Sequence, residues 1–528
     1  MAKNILAEMG SQVGLTPSRQ MKKDAEEWAH QNSQSMVNPS FEPDEITPQS
    51  LSPVNDGKKN GDTDKGIFLI NLSEKNIPEV IDEYEPYDNR DVKRPTTNAE
   101  TLLHLLKGSL GTGILAMPRA FANAGYVIGS IGTVLIGMLC TYCIHMLIDS
   151  CYVLCKRRKV PSLSYTAATE AAFSEGPELC KGWASFAAHV VNVFLLVYQI
   201  GTCCVYVVFV SENIYAVLVN HFGIEGITVF DVMLWILLPL ILINWVRDLK
   251  YLAPFSAAAN AITIISFAII LYYIFREAPT LEGKSAVGKL VDFPLFFGTV
   301  LFALEAIGVI LPLENNMKTP KDFVGNFGVL NQAMISIIIL YVGMGLFGYL
   351  QYGHEAEGSI TLNLPSNTEL AASIVQCLLA IAIYITHGLA CYVAIDIIWN
   401  EYISSKVHNR KFKIVWEYVI RTLIVLITFG LAAAVPELDL FISLFGALCL
   451  SALGLAFPAI IQTFTYWYYV SDSERLRMIF KNILLALFGV LGLIVGTWTS
   501  LQSIIVKFGG HHNPIETAFL NETTTLAP

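Results

Sequence analysis

Charge is scarce in this sequence. Only 15% of its 528 residues are charged and 54% are apolar, whereas a soluble domain carries about 25% charged residues. That deficit argues against a soluble enzyme and against a nucleic-acid binder. A hydrophobic centre is missing from the first thirty residues, so no cleaved signal peptide is expected. The ten histidines show no metal-ligand cluster, and no nucleophile–base pair stands at a recognisable spacing. Neither a metal, a cofactor nor enzymatic chemistry is therefore expected. The ten cysteines do not form a disulfide scaffold either. Nine lie in or at the ends of apolar runs, and Cys180 lies in a basic connector. Cys140 and Cys143 form a C-x-x-C pair inside an apolar run, where small buried packing residues are the expected reading.

What the chain has in quantity is long apolar runs. Eleven stretches are expected to span a bilayer: 99–126, 128–154, 183–210, 230–246, 251–275, 293–313, 327–350, 369–399, 416–435, 438–468 and 482–505. The fold class is thus all-α, a multi-pass protein of about eleven helices partnered by the lipid bilayer. Residues 1–95 are different. Residues 1–100 carry 18 acidic and 11 basic side chains, most of the net charge of -10, with Ser, Asn, Pro and Asp in place of apolar runs. They read as a disordered acidic tail.

Basic residues set the orientation. With the N-terminus in the cytosol, sixteen basic residues fall in inner connectors, from Lys156, Arg157, Arg158 and Lys159 to Arg475, Arg477 and Lys481. Four fall outside: Arg276, Lys284, Lys289 and Lys507. The positive-inside rule favours this arrangement. Residues 508–528 then form a short extracellular or luminal tail, in which Asn521-Glu522-Thr523 is a glycosylation sequon. Asn71-Leu72-Ser73 would lie in the cytosol and stay unused.

Two spans carry helix-weakening residues near mid-membrane. The first contains Gly108, Gly111, Gly113 and Pro118 within eleven residues. Backbone unwound at that depth must face protein or a water-filled cavity, and freed amides there can hold a carboxylate. The competing reading is a glycine-rich packing face. The sixth span, from Glu305 through Gly308 to Pro312, repeats the pattern about 195 residues later. Interrupted segments at matching places in two oppositely oriented halves point to a secondary-transporter binding site. The expected architecture is a five-plus-five inverted repeat, with halves 96–275 and 293–468 and one extra helix at 482–505.

These segments resemble the proton-assisted amino acid transporters, within the amino acid/auxin permease group. The likeness is carried by Leu103-His104-Leu105-Leu106-Lys107-Gly108 with the following Gly-Thr-Gly, Phe121 to Gly125, and Cys203-Cys204-Val205-Tyr206. Pro294 to Gly298, Leu311-Pro-Leu-Glu-Asn315 and Gly358 to Pro365 add to it. It covers about residues 96–507, which would form the transporter domain, and leaves out the acidic tail.

The resemblance implies symport of a small neutral amino acid with a proton into the cytosol. His104 matches the family's proton-coupling histidine, and histidine titrates near the relevant pH. Glu305 matches an acidic position, where it either contacts proton or substrate or braces the unwound segment. The substrate carboxylate would meet amides at Gly111, Thr112 and Gly113 with the Ser109 and Thr112 hydroxyls, and its ammonium would meet carbonyls near Phe302, Ala303 and Leu304. Tyr198 and Thr202 line the opposite wall or pack the core. Asp396 and Glu212 read as interfacial or bundle-facing.

The pattern is broken in two places. The loops 211–229 and 363–370 lack the cysteines that vertebrate relatives join, and His387 replaces a frequent aromatic residue. Rival readings are a sodium-coupled or uniport carrier, or a nutrient-sensing transceptor with slow transport whose tail binds cytosolic signalling partners. The plasma membrane is the expected location, with the lysosomal membrane as the alternative.

Overall fold

Thr97 starts the first helix through a reciprocal cap. The Glu100 amide donates to Thr97 Oγ1 at 3.3 Å, and the Thr97 amide donates to Glu100 Oε2 at 2.8 Å. This is a computed structural model in which residues 84–92, 95–247, 249–304, 307–325, 327–403 and 410–509 are described. From Thr97 the chain forms α1 (Asn98–Ser109), the single turn α2 (Thr112–Leu115) and α3 (Met117–Ala124). Glycines at 108, 111 and 113 make continuous helix costly here. Leu110, which caps α1, and Gly111 separate α1 from α2, and Pro118 sits at the start of α3, where its missing amide does no harm.

The long helices follow: α4 (Tyr126–Arg158), α5 (Tyr165–Glu175), α6 (Ala184–Asn220), α7 (Val229–Asn244) and α8 (Leu249–Arg276). A second interrupted pair, α9 (Phe293–Leu304) and α10 (Ile307–Asn315), precedes α11 (Val329–Tyr352) and α12 (Leu370–Asp396). The chain ends in α13 (Arg410–Ala434), α14 (Leu438–Phe445), α15 (Phe457–Thr465) and α16 (Asp472–Gly509). A π-helical stretch, Gly446–Ala456, joins α14 to α15. Among the described residues the only β pairing is an isolated bridge between Thr96 and Met317.

Among the described residues, eight helices are long and apolar enough to cross a membrane. The other three expected elements appear as shorter pieces: α1 to α3, α7, and α9 with α10. Their outer surfaces explain where the apolar excess goes. On α16, Leu484, Leu487, Leu491, Ile494 and Trp498 are each at least 59% exposed. Their three-and-four spacing forms one continuous apolar stripe, which lipid covers and water would not. The chain is an integral, multi-pass, all-helical membrane protein.

Three differences from the sequence reading have local causes. The connector after α4, read as a loop, contains α5, which packs against α6 and α15. It is held there because the Tyr165 hydroxyl donates to Leu453 O at 2.6 Å. The last helix begins ten residues earlier than expected, at Asp472. At the border of the acidic tail, residues 84–92 make specific contacts. Arg90 pairs with Glu314 through both guanidinium nitrogens at 3.1–3.2 Å, with side chains only 8% and 4% exposed. Its Nε donates to Pro161 O at 3.0 Å, and its guanidinium lies 4.6 Å from the Tyr87 ring centre. The short 3₁₀ turn Pro86–Asn89 is thereby fixed across the ends of α4 and α10. Sequence composition carries no trace of such a long-range partner.

Two sets of backbone bonds establish that the interrupted elements run in opposite directions. At the start of the first, Thr96 N donates to Asn316 O and Lys318 N to Thr96 O, both at 2.9 Å, beside the end of the second. At the end of the first, Gly288 N donates to Ala124 O at 2.7 Å, beside the approach to the second. Head therefore lies against tail at both ends, the relation that an inverted repeat requires.

Candidate functional site

The two interruptions meet in the interior. A Cβ added to Gly113 would lie 2.6 Å from Ala303 Cα, so only glycine allows α2 to rest on the backbone of α9. On the other side of α9, a Cβ on Gly446 would lie 1.9 Å from Gly298 O. The π-helical stretch thus reaches α9 as closely as α2 does. Helix α9 is held between two backbones with no side chain intervening.

Tyr341 of α11 closes the third side. Its hydroxyl lies within hydrogen-bond distance of Ser109 O at the end of α1 and 2.7 Å from Ala303 O on α9. A hydroxyl has one proton, so the two carbonyls share one donor. Helix ends leave carbonyls without intrahelical partners, and here a single buried side chain, 1% exposed, serves both. The sequence reading missed Tyr341. Its signal was a phenol within an otherwise apolar stretch, since a buried hydroxyl needs a partner.

The expected site residues fall into three groups. Ser109, Thr112, Gly113, Phe302, Ala303, Leu304 and Thr202 are all buried around this junction. The Tyr198 and Phe302 rings lie 6.2 Å apart, tilted by 59°, and Phe302 Cβ comes 3.1 Å from the Cβ position of Gly446. The Ser109 hydroxyl donates to Leu105 O at 3.1 Å and that of Thr202 to Tyr198 O at 3.0 Å. Helix α2 starts at Gly111 with no side-chain cap, leaving its first amides free of side-chain acceptors.

The second group lies away from the junction. His104 is on the exposed face of α1, five residues before Ser109 and so about 7.5 Å from it along the helix axis. Pro118 is buried against Gly348, whereas Gly308 and Pro312 are exposed on α10. His387 is 1% exposed, with Nδ1 3.3 Å from Asn244 Nδ2 on α7. The third group, Glu305 and Asn521, lies outside the described residues.

A separate cavity of about 450 Å³ opens near the start of α1, lined by Asn98, Leu102, Lys321, Asp322 and Gln332. It is at the end of the bundle where Thr96 meets Asn316, and not at the junction. Among the described residues no group of three or more His, Cys, Asp or Glu side chains is placed to hold a metal ion. The arrangement at the junction offers buried polar backbone, two hydroxyls and aromatic walls, which suits binding of a small polar molecule.

Comparison with known proteins places this geometry. The family described as "Transmembrane amino acid transporter protein" matches residues 94–502. The chain is 38% identical over 431 residues to "Proton-coupled amino acid transporter-like protein pathetic" of Drosophila melanogaster, covering 82% of this chain and 90% of that one. It is 25% identical to "Probable amino acid transporter skat-1" of Caenorhabditis elegans, covering 80% and 93%. Among solved structures, the inward-facing conformation of Mhp1 overlays with a TM-score of 0.46 at 11% identity, covering 81% of this chain and 93% of that one. The family model and the two curated relatives bear out the resemblance read from the motifs. The chain belongs to the transmembrane amino acid transporter family, and its work is transport across a membrane, not enzymatic catalysis.

Proposed function

We propose that this chain is a secondary active transporter that brings small neutral amino acids, of the glycine, alanine and proline kind, into the cytosol together with a proton. The observation that carries this reading is the meeting of two oppositely directed, interrupted helices at Gly113 and Ala303. Such a pair offers amides to a carboxylate on one side and carbonyls to an ammonium on the other, which is the charge pattern of a zwitterionic amino acid.

In this reading the substrate carboxylate sits at the amides of Thr112 and Gly113, with the Ser109 and Thr112 hydroxyls beside it; the Gly111 amide, expected to join them, already donates to Ser109 O at 3.0 Å. Helix α2 is a single turn, so its macrodipole is small and hydrogen bonds do most of the holding. The ammonium faces the carbonyls near Phe302, Ala303 and Leu304. Phe302 and Thr202, both buried, and the half-buried Tyr198 bound the side-chain space, which favours small substrates. Alternating access comes from rocking one group of helices against the other around this junction.

His104 is the proposed proton-coupling histidine and Glu305 a second acidic contributor at the α9–α10 break. The exposed position of His104 on α1 suits exchange with water better than direct substrate contact. Its protonation must then act by shifting a conformational equilibrium, which couples two sites only if both ligands prefer the same state. In this reading the N-terminus lies in the cytosol, as the distribution of basic residues favours. The proposed location is the plasma membrane.

Purified chain in liposomes with an imposed proton gradient tests the proposal through a competition panel of amino acids. Uptake of small neutral substrates that rises with outside acidity, without sodium, is expected. His104→Ala should lose the acid dependence while remaining folded; a variant that kept it in full would remove His104 from the coupling role. Uptake that requires sodium and ignores the proton gradient would overturn proton symport.

A further inference from the structure

Glu212 is a buried carboxylate near the end of α6 that the transport reading above does not use. Its Oε2 is sealed from solvent and has no hydrogen-bond partner, while the residue keeps part of its surface accessible. The charged groups that face it come from three elements: Glu437 and Asp439 at the start of α14, Glu357 in the segment before α12, and Lys507 near the end of α16. The basic side chains beside these carboxylates are already engaged. Arg119 of α3 pairs with Asp439 at 3.1 Å, and Lys507 pairs with Glu437 at 2.6 Å. Glu357 is exposed and solvated. Of these four carboxylates two have a cationic partner; of the other two, Glu357 lies open and Glu212 is the one with a sealed oxygen.

Burying an ionised carboxylate without a partner is very unfavourable, and such a group takes up a proton instead. A shared divalent metal ion is the other means of neutralising clustered carboxylates, but no such ligand group exists among the described residues. The ligand that fits is a proton.

We infer that Glu212 is a proton-binding site at the outer mouth of the transporter, loaded from the extracellular or luminal side. For its part in transport this rests on the proton-symport reading; its capacity to bind a proton does not. The proton passes from outside water to a carboxylate oxygen, and no other bond changes. The site joins moving parts. Arg119 is on α3, the far half of the first interrupted element, and α14 runs directly into Phe445 and Gly446 beside α9. Neutralising Glu212 relieves its repulsion from Glu437 and Asp439, so α6 and α14 close more readily over the outer mouth. Outside acidity thereby favours the state that commits substrate to the cytosolic side.

Infrared difference spectra of the full chain in liposomes, recorded between acidic and neutral pH, test the proton site directly. A protonated-carboxyl band that appears on acidification and is absent from Glu212→Gln is expected, and Glu212→Asp should shift the band without removing it. If no band depends on Glu212, the assignment is overturned, whether or not uptake is proton-coupled. Alanine uptake tests the role. The ratio of uptake at acidic to neutral outside pH should exceed one in the wild type, fall to unity in Glu212→Gln, and stay above one in Glu212→Asp. A Glu212→Gln variant with the wild-type ratio overturns the coupling role. A wild type that ignores outside pH but shows the Glu212 band sustains the site and overturns proton symport instead.

Discussion

Tyr341 donates to Ala303 across the centre of the bundle at 2.7 Å, and the same hydroxyl reaches Ser109. One phenolic proton thus ties together the two interrupted helices on which the proposed transport site is built. Because both acceptors are main-chain carbonyls, the tie holds the two helix breaks themselves in register, not merely the side chains around them.

Removing that proton should be felt at the site before it is felt in the fold. Tyr341→Phe keeps the ring and its packing but takes the hydroxyl donor from both carbonyls, leaving Ser109 O only the Gly111 amide at 3.0 Å, at a cost of roughly 1–3 kcal/mol. Uptake kinetics should show a loss of apparent affinity, with thermal unfolding in detergent shifted by only a few degrees. A Phe variant with wild-type affinity would remove Tyr341 from the machinery.

Gly113 gives a sharper steric test. The Cβ of Gly113→Ala would lie 2.6 Å from Ala303 Cα, a backbone atom that cannot turn aside, so α2 must move off α9. Overpacking of this kind costs about 1–3 kcal/mol. Transport should be lost with membrane insertion intact. The second-site change Ala303→Gly removes only the Cβ contact at 3.1 Å, so it should restore uptake in part at most.

Arg90 and Glu314 form a pair that neither partner can leave unharmed. Both side chains are almost fully buried, so Arg90→Ala strands a buried carboxylate, and breaking such a pair costs about 3–5 kcal/mol. The end of α10 should loosen, seen as faster hydrogen exchange over residues 307–318. Arg90→Ala with Glu314→Gln should recover much of the protection. Unchanged exchange in the single variant would show that the 84–92 segment does not hold α10.

Acid should weaken the neighbouring strap. Asp322 accepts from Asn98 Nδ2 at 3.0 Å, and that bond, then one from Thr319, holds its carboxyl below the usual carboxylate range. A depressed folded pKa means that the ionised strap contributes above the unfolded pKa and is lost as pH falls through the folded one. At neutral pH it is fully in place. Hydrogen exchange at the start of α1 should rise only in strong acid, and Asp322→Asn should abolish that rise. An unchanged acid response in the variant would assign it to another group.

Much of this molecule was legible from the order of residues because the membrane imposes local rules. A helix must satisfy its own backbone bonds in lipid, so apolar length marks a span without reference to its neighbours. Glycine and proline mark a break for equally local reasons, and the family motifs fell on those breaks. His104 was found through its place in a motif, but its exposure on α1 follows from how that helix is packed, which no motif records.

What the sequence by itself determined is the helical membrane class, the two interruptions and the residues at them. Only the tertiary structure decided which partners those residues meet. Tyr341 lies 232 residues beyond Ser109 in the chain, and Glu314 lies 224 beyond Arg90. The surplus of carboxylates around Glu212 arises from separate segments of the chain. Local patterns specify helices through bonds within a few residues of each other, whereas shared donors, close backbone contacts and unpaired charges exist only between helices. They depend on packing, and packing is not written at any one position.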